Sequence, residues 1–453
     1  MPSTYLTKTF SGGSNSNKNF TISFWFKGSS HDRSDDENLY LSYYDSSNRF
    51  GIGIDGNDRL KIENNAGGSY TMRFITNRRF RDVNSWYHLV CRAETNASAQ
   101  ADRFKIYING VQETSFNVAT YIPQNNPINM PNSSYPTTIG AWNGGSQSWN
   151  GSMSHFHICD GYSYDASYFG ETDSTTGEWK IKTSPSVSYG TNGFWILKDG
   201  NSVTDSSSNS NDYTVSGGTL TKTEDCPSNV FATLNPLIVN RLDNNNTLSY
   251  GNNRQTTVSI SGSYVASPST LGMTSGKYYA EMKVTTLASN CFVGIDGQAV
   301  YTATQGINMG YSPYGYCYAQ WGGKYNNGTS VSGAGNTFTT GDIIGIAVDM
   351  DNLKVYFSKN GVWQNSGDPT SGSTGTGAFY TIAAVDTLSE GAYHFESTNN
   401  DADGASIWDW NFGNGYFGTT AVSSAGTNAS GNGIFEYDVP TGYTALSTKG
   451  LNL

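Results

Sequence analysis

Two stretches place flat aromatic rings beside side-chain amides. The first is Trp142-Asn143-Gly144-Gly145-Ser146-Gln147-Ser148-Trp149-Asn150. The second runs from Tyr311 through Ser312, Pro313, Tyr314, Gly315, Tyr316, Cys317, Tyr318 and Ala319 to Gln320 and Trp321, and on to Tyr325 and Gly328. Rings stack on the C–H faces of sugars, and amides hydrogen-bond their hydroxyls. Trp142, Asn143, Gln147 and Trp149 are therefore candidate ligand contacts in the first stretch. In the second they are Tyr311, Tyr314, Tyr316, Gln320, Trp321 and Tyr325. A second reading competes: Tyr314, Tyr316 and Tyr318 alternate with Gly315, Cys317 and Ala319, as in a packed strand.

Acid–base chemistry on a sugar needs two carboxylates about 5 Å apart. On one strand, Glu-x-Asp-x-x-Glu supplies them. The chain has only incomplete versions, Glu171-x-Asp173-x-x-Thr176 and Glu436-x-Asp438-x-x-Thr441. Neither a Gly-x-Ser-x-Gly elbow nor a P-loop is present. No catalytic residue is assigned, and a non-enzymatic role is expected. His155, His157 and Cys159 alternate and would share one strand face, which with His88 could hold a metal. The same spacing suits ordinary histidines opposite core-facing Phe156 and Ile158.

These residues must be positioned by strands. Phe20, Ile22, Phe24 and Phe26 alternate with Thr21, Ser23, Trp25 and Lys27. Strand patterns follow at Phe50–Ile54, Leu60–Ile62, Trp86–Val90 and Phe104–Ile108, separated by turn signals. In the second half, Gly341–Trp363 reads as a hairpin. Ile344, Ile346, Val348 and Met350 lie on one face of its first strand, and Val355 and Phe357 alternate along its second. Lys359-Asn360-Gly361 ends it, since Asn and Gly accept positive φ. No 3.6-residue apolar period stands out in the first half. Faces of this kind need a facing sheet, so the expected class is all-β, two antiparallel β-sandwiches in series.

Bulk properties agree. With 453 residues the chain is long enough for several domains. Charged residues are only 14% and aromatics 13%, the balance of a turn-rich β protein rather than a disordered one. The net charge of −11, with no basic run longer than Arg78-Arg79, disfavours nucleic acid. No leader pattern opens the chain, and no apolar run reaches the ~20 residues of a membrane span, so neither secretion nor membrane insertion is expected. The five cysteines form no C-x-x-C pair, which indicates neither a disulfide framework nor a zinc ribbon.

Two resemblances follow. The Gly-Asp-x-Ile-Gly opening of the hairpin, Tyr356-Phe357-Ser358, Asn360-Gly361-Val362, Ser275–Glu281 and Asn411-Phe412-Gly413 resemble SPRY domains over roughly residues 240–420. Phe20–Trp25, Trp86–Val90, Lys105–Val111 and Ile139-Gly140 resemble a laminin-G-like, concanavalin A-like jelly roll. Asn150–Met153, Asp160-Gly161 and Phe169–Thr172 extend that match toward virion proteins of marine and other tailed phages. Cys226–Leu237 resembles the junction, and Val439–Leu446 the terminus, of the same proteins. The expected domains are a jelly roll over 1–222, an extended connector over 223–245, a SPRY-like sandwich over 246–420 and a C-terminal extension over 421–453 that packs on the second domain.

The resemblance implies a non-catalytic phage virion surface protein that binds host-cell-surface glycans through sandwich loops, as a tail fibre, spike or peripheral appendage. A capsid decoration protein with purely structural contacts and a polysaccharide depolymerase stay open. Other virion proteins are expected partners, and weak repeated contacts favour a homo-oligomer, a trimer or ring. Laminin-G-like domains also imply a possible calcium ion. Asp205, Asn209 and Asp212 sit in a suitable loop, as do Asp55 and Asp58.

Overall fold

The computed structural model describes residues 4–29, 35–131, 136–175, 177–198, 202–237, 246–257, 265–288, 291–297, 309–388, 391–399 and 405–452. The chain divides into two compact units, Met1–Lys222 with Cys226–Ser228, and Thr223–Asp225 with Asn229–Leu453. It is all-β, with antiparallel sheets in both units.

In the first unit, eight strands form one sheet in the order Phe116–Thr120, Ser69–Arg79, Arg59–Ala66, Asn48–Ile54, Glu37–Asp45, Thr137–Ile139, Thr4–Lys8 and Thr214–Gly217. The facing sheet has the order Phe194–Ile196, Gly151–Asp160, Asn19–Gly28, Tyr87–Glu94, Phe104–Ile108 and Val111–Gln112. Period-two alternation sends Phe20, Ile22, Phe24 and Phe26 into the core between them, where Phe24 stacks on Phe156 at 4.5 Å. The opposite side of Asn19–Gly28 is buried as well: Thr21, Ser23, Trp25 and Lys27 are all under 6% exposed. A return segment packs on that side of the six-stranded sheet, with Ala166 and Phe169 clustered against Val90 and Cys159, and Trp179 and Tyr189 beside them.

In the second unit, the strand Lys277–Thr286 lies between Ile343–Asp349 and Ile407–Asn411. The facing sheet has the order Val265–Pro268, His394–Asn399, Cys291–Asp296, Gly315–Ala319, Lys324–Asn326 and Thr329–Val331. Ile344, Ile346, Val348, Val355 and Phe357 enter the core, with Ile346 opposite Phe357. Ala347 and Tyr356 point the other way and are covered by Phe435, Val439, Tyr443 and Ala445. Thr444–Ala445 pairs in parallel with Tyr278 and Tyr279. Phe231, Ala232 and Leu234, from the expected connector, are buried in the cores of this unit. Residues 238–245 of that connector lie outside the described residues. All five cysteines are free thiols.

Asn360 shows why the hairpin stops where it does. Its φ is 48°, its Oδ1 accepts from Ile343 N at 2.8 Å, and its Nδ2 donates to Asp342 Oδ1 at 2.7 Å. Alanine there keeps the left-handed backbone and loses both bonds. Asn360→Ala is expected to cost the second unit about 2 kcal/mol in denaturant unfolding, and Asn360→Gly less, because glycine relieves the backbone term.

Candidate functional site

The outward residues of three neighbouring strands build the floor of a cleft in the first unit. Because Phe50, Ile52 and Ile54 face the core, Arg49, Gly51 and Gly53 face away from it. By the same alternation Leu60 and Ile62 turn in, and Lys61 and Glu63 turn out. Gly53 is required here, since a Cβ would lie 2.5 Å from the carbonyl oxygen of Glu37. The wall comes from the loop after Thr137–Ile139. Asn38 N donates to Gln147 O at 2.9 Å, and Asn38 Nδ2 donates to Gln147 Oε1 at 3.2 Å. Trp142 and Gln147 line the resulting cleft of about 290 Å³ with Arg49, Lys61, Glu63 and Tyr70.

Charge in this cleft is balanced locally. Arg73 Nε donates to Glu63 Oε1 at 2.8 Å, and Lys61 pairs with Asp36 and sits 3.9 Å from Glu63. Two rings carry cations on their faces: Arg49 lies 5.2 Å from the Trp142 ring centre and Arg73 lies 4.7 Å from that of Tyr70. The arrangement offers flat faces, an amide and hydrogen-bonding groups of both signs, which suits a polyhydroxylated ligand. Of the other two residues singled out in this loop, Asn143 is exposed, whereas Trp149 turns edge-on to Phe26 at 5.8 Å, toward the core.

The second aromatic stretch divides. Tyr325 stacks on Phe292 at 5.3 Å, Trp321 meets the same ring edge-on at 5.3 Å, and Tyr311 meets Tyr325 at 5.5 Å. Tyr311 and Trp321 keep 50% and 37% of their surface exposed. Tyr316 instead enters the core, where its hydroxyl accepts from Ala383 N at 3.0 Å, and Tyr314 packs on the same core. Gln320 Oε1 accepts from Cys291 N at 3.0 Å, so its amide tethers a strand end.

The expected calcium loop is built as a turn. Asp205 Oδ1 accepts from the backbone N–H of Trp195 and Ser207, and its Oδ2 from Ser207 Oγ and Asn211 N, all at 2.8–2.9 Å. Asp212 Oδ1 accepts from Asp205 N, and Asn209 Nδ2 donates to the carbonyls of Gly190 and Gly193. N–H and O–H donors already fill both oxygens of Asp205, so the loop as built does not fit calcium. Asp55 pairs with Arg59 and Asp58 with Arg81. Among the described residues, no group of three or more His, Cys, Asp or Glu could hold a metal ion.

His88, His155 and His157 do come together, but among aromatics. His157 stacks on Trp195 at 5.0 Å and its Nδ1 shares a hydrogen bond with the Tyr189 hydroxyl. His88 stacks on Trp25 at 4.7 Å, and its Nδ1 accepts from Trp179 Nε1 at 2.9 Å. Burial and the neighbouring imidazoles hold His157 well below the ordinary histidine range. The carboxylates of the incomplete sugar-hydrolysis motifs act as staples: Asp173 pairs with Lys180, Glu436 accepts from Ser423, and Asp438 accepts from Thr427.

The part of the cleft that the sequence reading missed is Arg49, Lys61, Glu63, Tyr70 and Asn38. Their outward phase was readable from Phe50-x-Ile52-x-Ile54 and Leu60-x-Ile62. The landing of Gln147 on Asn38 was not, because nothing local encodes it.

Comparison with known proteins agrees with this architecture. Residues 3–163 match the concanavalin A-like lectin/glucanases superfamily, and residues 277–398 match the SPRY domain. Among solved structures, the SPRY domain of human HERC1 is 16% identical over 39% of this chain and 96% of its own, with a TM-score of 0.27. A human SPRY domain is 16% identical over 36% of this chain and 94% of its own, with a TM-score of 0.28. Stonustoxin is also 16% identical, with a TM-score of 0.29, over 40% of this chain, which spans 27% of the stonustoxin chain. No curated protein matches the sequence. The chain therefore carries a concanavalin A-like domain followed by a SPRY domain.

Proposed function

We propose that this is a non-catalytic, adhesin-like surface protein of a phage virion, and that its first unit binds host-surface glycans. The cleft carries the reading: the Trp142–Gln147 loop seats an aromatic ring and an amide beside Arg49, Lys61 and Glu63 on an open sheet face. The low charge, the Asn/Ser/Thr/Gly-rich composition and the resemblance to tailed-phage virion proteins support the virion setting. One cleft of this size sits at the small end of ligand sites, so useful adhesion needs many copies, as in a trimer or ring on the particle.

The test is an array of host-envelope glycans probed with the full chain and with Trp142→Ala, beside immunogold labelling of intact particles. Binding should fall about tenfold in the variant, the loss of one stacking ring in a polar cleft. Dense particle labelling with no glycan binding would instead leave a purely structural decoration protein. Release of reducing ends would make the protein a depolymerase.

A further inference from the structure

Asparagine followed by glycine can cyclise without an enzyme. The glycine N attacks the asparagine Cγ, the Cγ–Nδ2 bond breaks, and ammonia leaves with the proton of the glycine N–H. Water then opens the succinimide at either carbonyl and gives aspartate or isoaspartate. Glycine favours the attack because no Cβ obstructs it. The step needs a free side-chain amide, a free glycine N–H and room to turn. The chain has eight Asn-Gly pairs, and the fold closes all but one. The side-chain amides of Asn109, Asn192, Asn360 and Asn432 are held in hydrogen bonds. The glycine N–H donates elsewhere at Gly328 and Gly415, and Gly151 is paired with Gly28 in the sheet.

Asn143-Gly144 is open. It forms the tip of the loop that walls the Trp142 cleft. The loop is closed by Gly145 N donating to Trp142 O at 2.9 Å and Trp142 N donating to Ser146 O at 2.8 Å. Asn143 and Gly144 are both exposed. Neither the Asn143 amide nor the Gly144 N–H has a hydrogen-bond partner among the described residues. A Cβ on Gly144 would meet nothing within 4 Å, so there is room for the attack. The position of the product gives it a consequence. Among the residues that line the cleft, Arg49 and Lys61 balance Asp36 and Glu63. A carboxylate at position 143 tips that balance to negative, one residue from the ring that carries Arg49 at 5.2 Å. Isoaspartate also routes the main chain through the side-chain carbons, which lengthens the turn that sets Trp142.

We propose that Asn143 is a self-modification site, which deamidates in the folded chain and recharges the wall of the Trp142 cleft. The modification follows from the loop alone. An effect on ligand binding rests on the glycan reading given above.

The test is incubation of the full chain at about pH 8, with about pH 6 as the slow comparison, because the attacking amide must lose its proton. Peptide mapping with isoaspartate-specific methylation follows each Asn-Gly pair. Asn143 should convert at least about tenfold faster than any other pair, since the others must first break a hydrogen bond or a strand pairing. In ¹⁵N spectra the Trp142 indole N–H, identified by its loss in Trp142→Ala, should gain a second position as conversion proceeds. Asn143→Gln should keep a single position, because the longer side chain closes a ring less readily. Retention of the Asn143 amide, an equal rate at another Asn-Gly pair, or a Trp142 resonance blind to conversion would each overturn the proposal. Glycan binding is scored separately on the fresh chain. A chain that converts at Asn143 and binds no glycan supports the modification and counts against the glycan reading alone.

Discussion

Acidification from pH 7 to pH 4 is expected to destabilise the first unit by about 3 kcal/mol through His88 alone. The imidazole is buried between Trp25 and Trp179, and burial, with a smaller contribution from nearby His155, lowers its pKa from 6.5 to about 3. Geometry explains the resistance to protonation. The indole N–H of Trp179 donates to Nδ1, so the ring is the tautomer whose Nε2–H donates to Ser23 Oγ at 2.9 Å. A second proton would need the place the indole already fills. The unfolded chain binds that proton near pH 6.5 and the folded one does not, so stability is full above 6.5 and falls as pH drops toward 3. Hydrogen exchange resolved on peptides of each unit should show protection in the first unit falling over this range, and His157 adds in the same direction. His88→Gln should flatten the slope. An unchanged slope in that variant would remove His88 as its source.

The second unit should respond with the opposite sign. Between pH 5 and pH 8 its unfolding free energy is expected to fall by about 2–3 kcal/mol, owing to Glu281. This side chain is fully buried, and burial raises its pKa from 4.5 to about 7. Hydrogen bonds offset part of that: Oε2 accepts from Glu436 N at 2.8 Å, and Oε1 accepts from Tyr437 N at 2.9 Å and from the Tyr279 hydroxyl at 3.1 Å. Here the folded chain holds the proton more tightly than the unfolded one. The contribution is therefore present below 4.5 and lost as pH rises through 7. Glu281→Gln cannot titrate and should remove the slope, at a cost of about 1–3 kcal/mol at pH 5 because its NH2 group must face the backbone N–H of Glu436 or Tyr437. Glu281→Ala strands the donors that grip the C-terminal segment and should cost about 3–5 kcal/mol at pH 5, and less at pH 8, where the parent has lost the contribution of its protonated acid. A Gln variant that kept the slope would rule Glu281 out.

Both titrating groups lie on sheet faces that the sequence could not show to be covered. Alternation in Phe20–Phe26 and in Ile344–Val348 identifies the core side of each strand, because a core side must be apolar at every second position. It leaves the other side open. Nothing local to Ser23, Trp25 and His88 announces that a return segment carrying Trp179 and Tyr189 covers their side of the sheet. Tyr316 was misassigned for a related reason: a core-facing tyrosine and a sugar-stacking one look alike until its hydroxyl is seen on Ala383 N. In the calcium loop, Asp205 and Asn209 have the right types, but their bonds run to turn N–H and carbonyl groups. In the cleft, Trp142 and Gln147 were legible by type. Lys61 and Glu63 were not, since charges on an outward phase look the same whether they face bulk water or a ligand.

The parallel pairing of Thr444–Ala445 with Tyr278 and Tyr279 joins parts of the chain about 166 residues apart. Its ladder therefore cannot close until nearly all of the second unit has left the ribosome. Until then Ala347 and Tyr356 would be bare, a greasy strip available to a holdase or to another nascent copy.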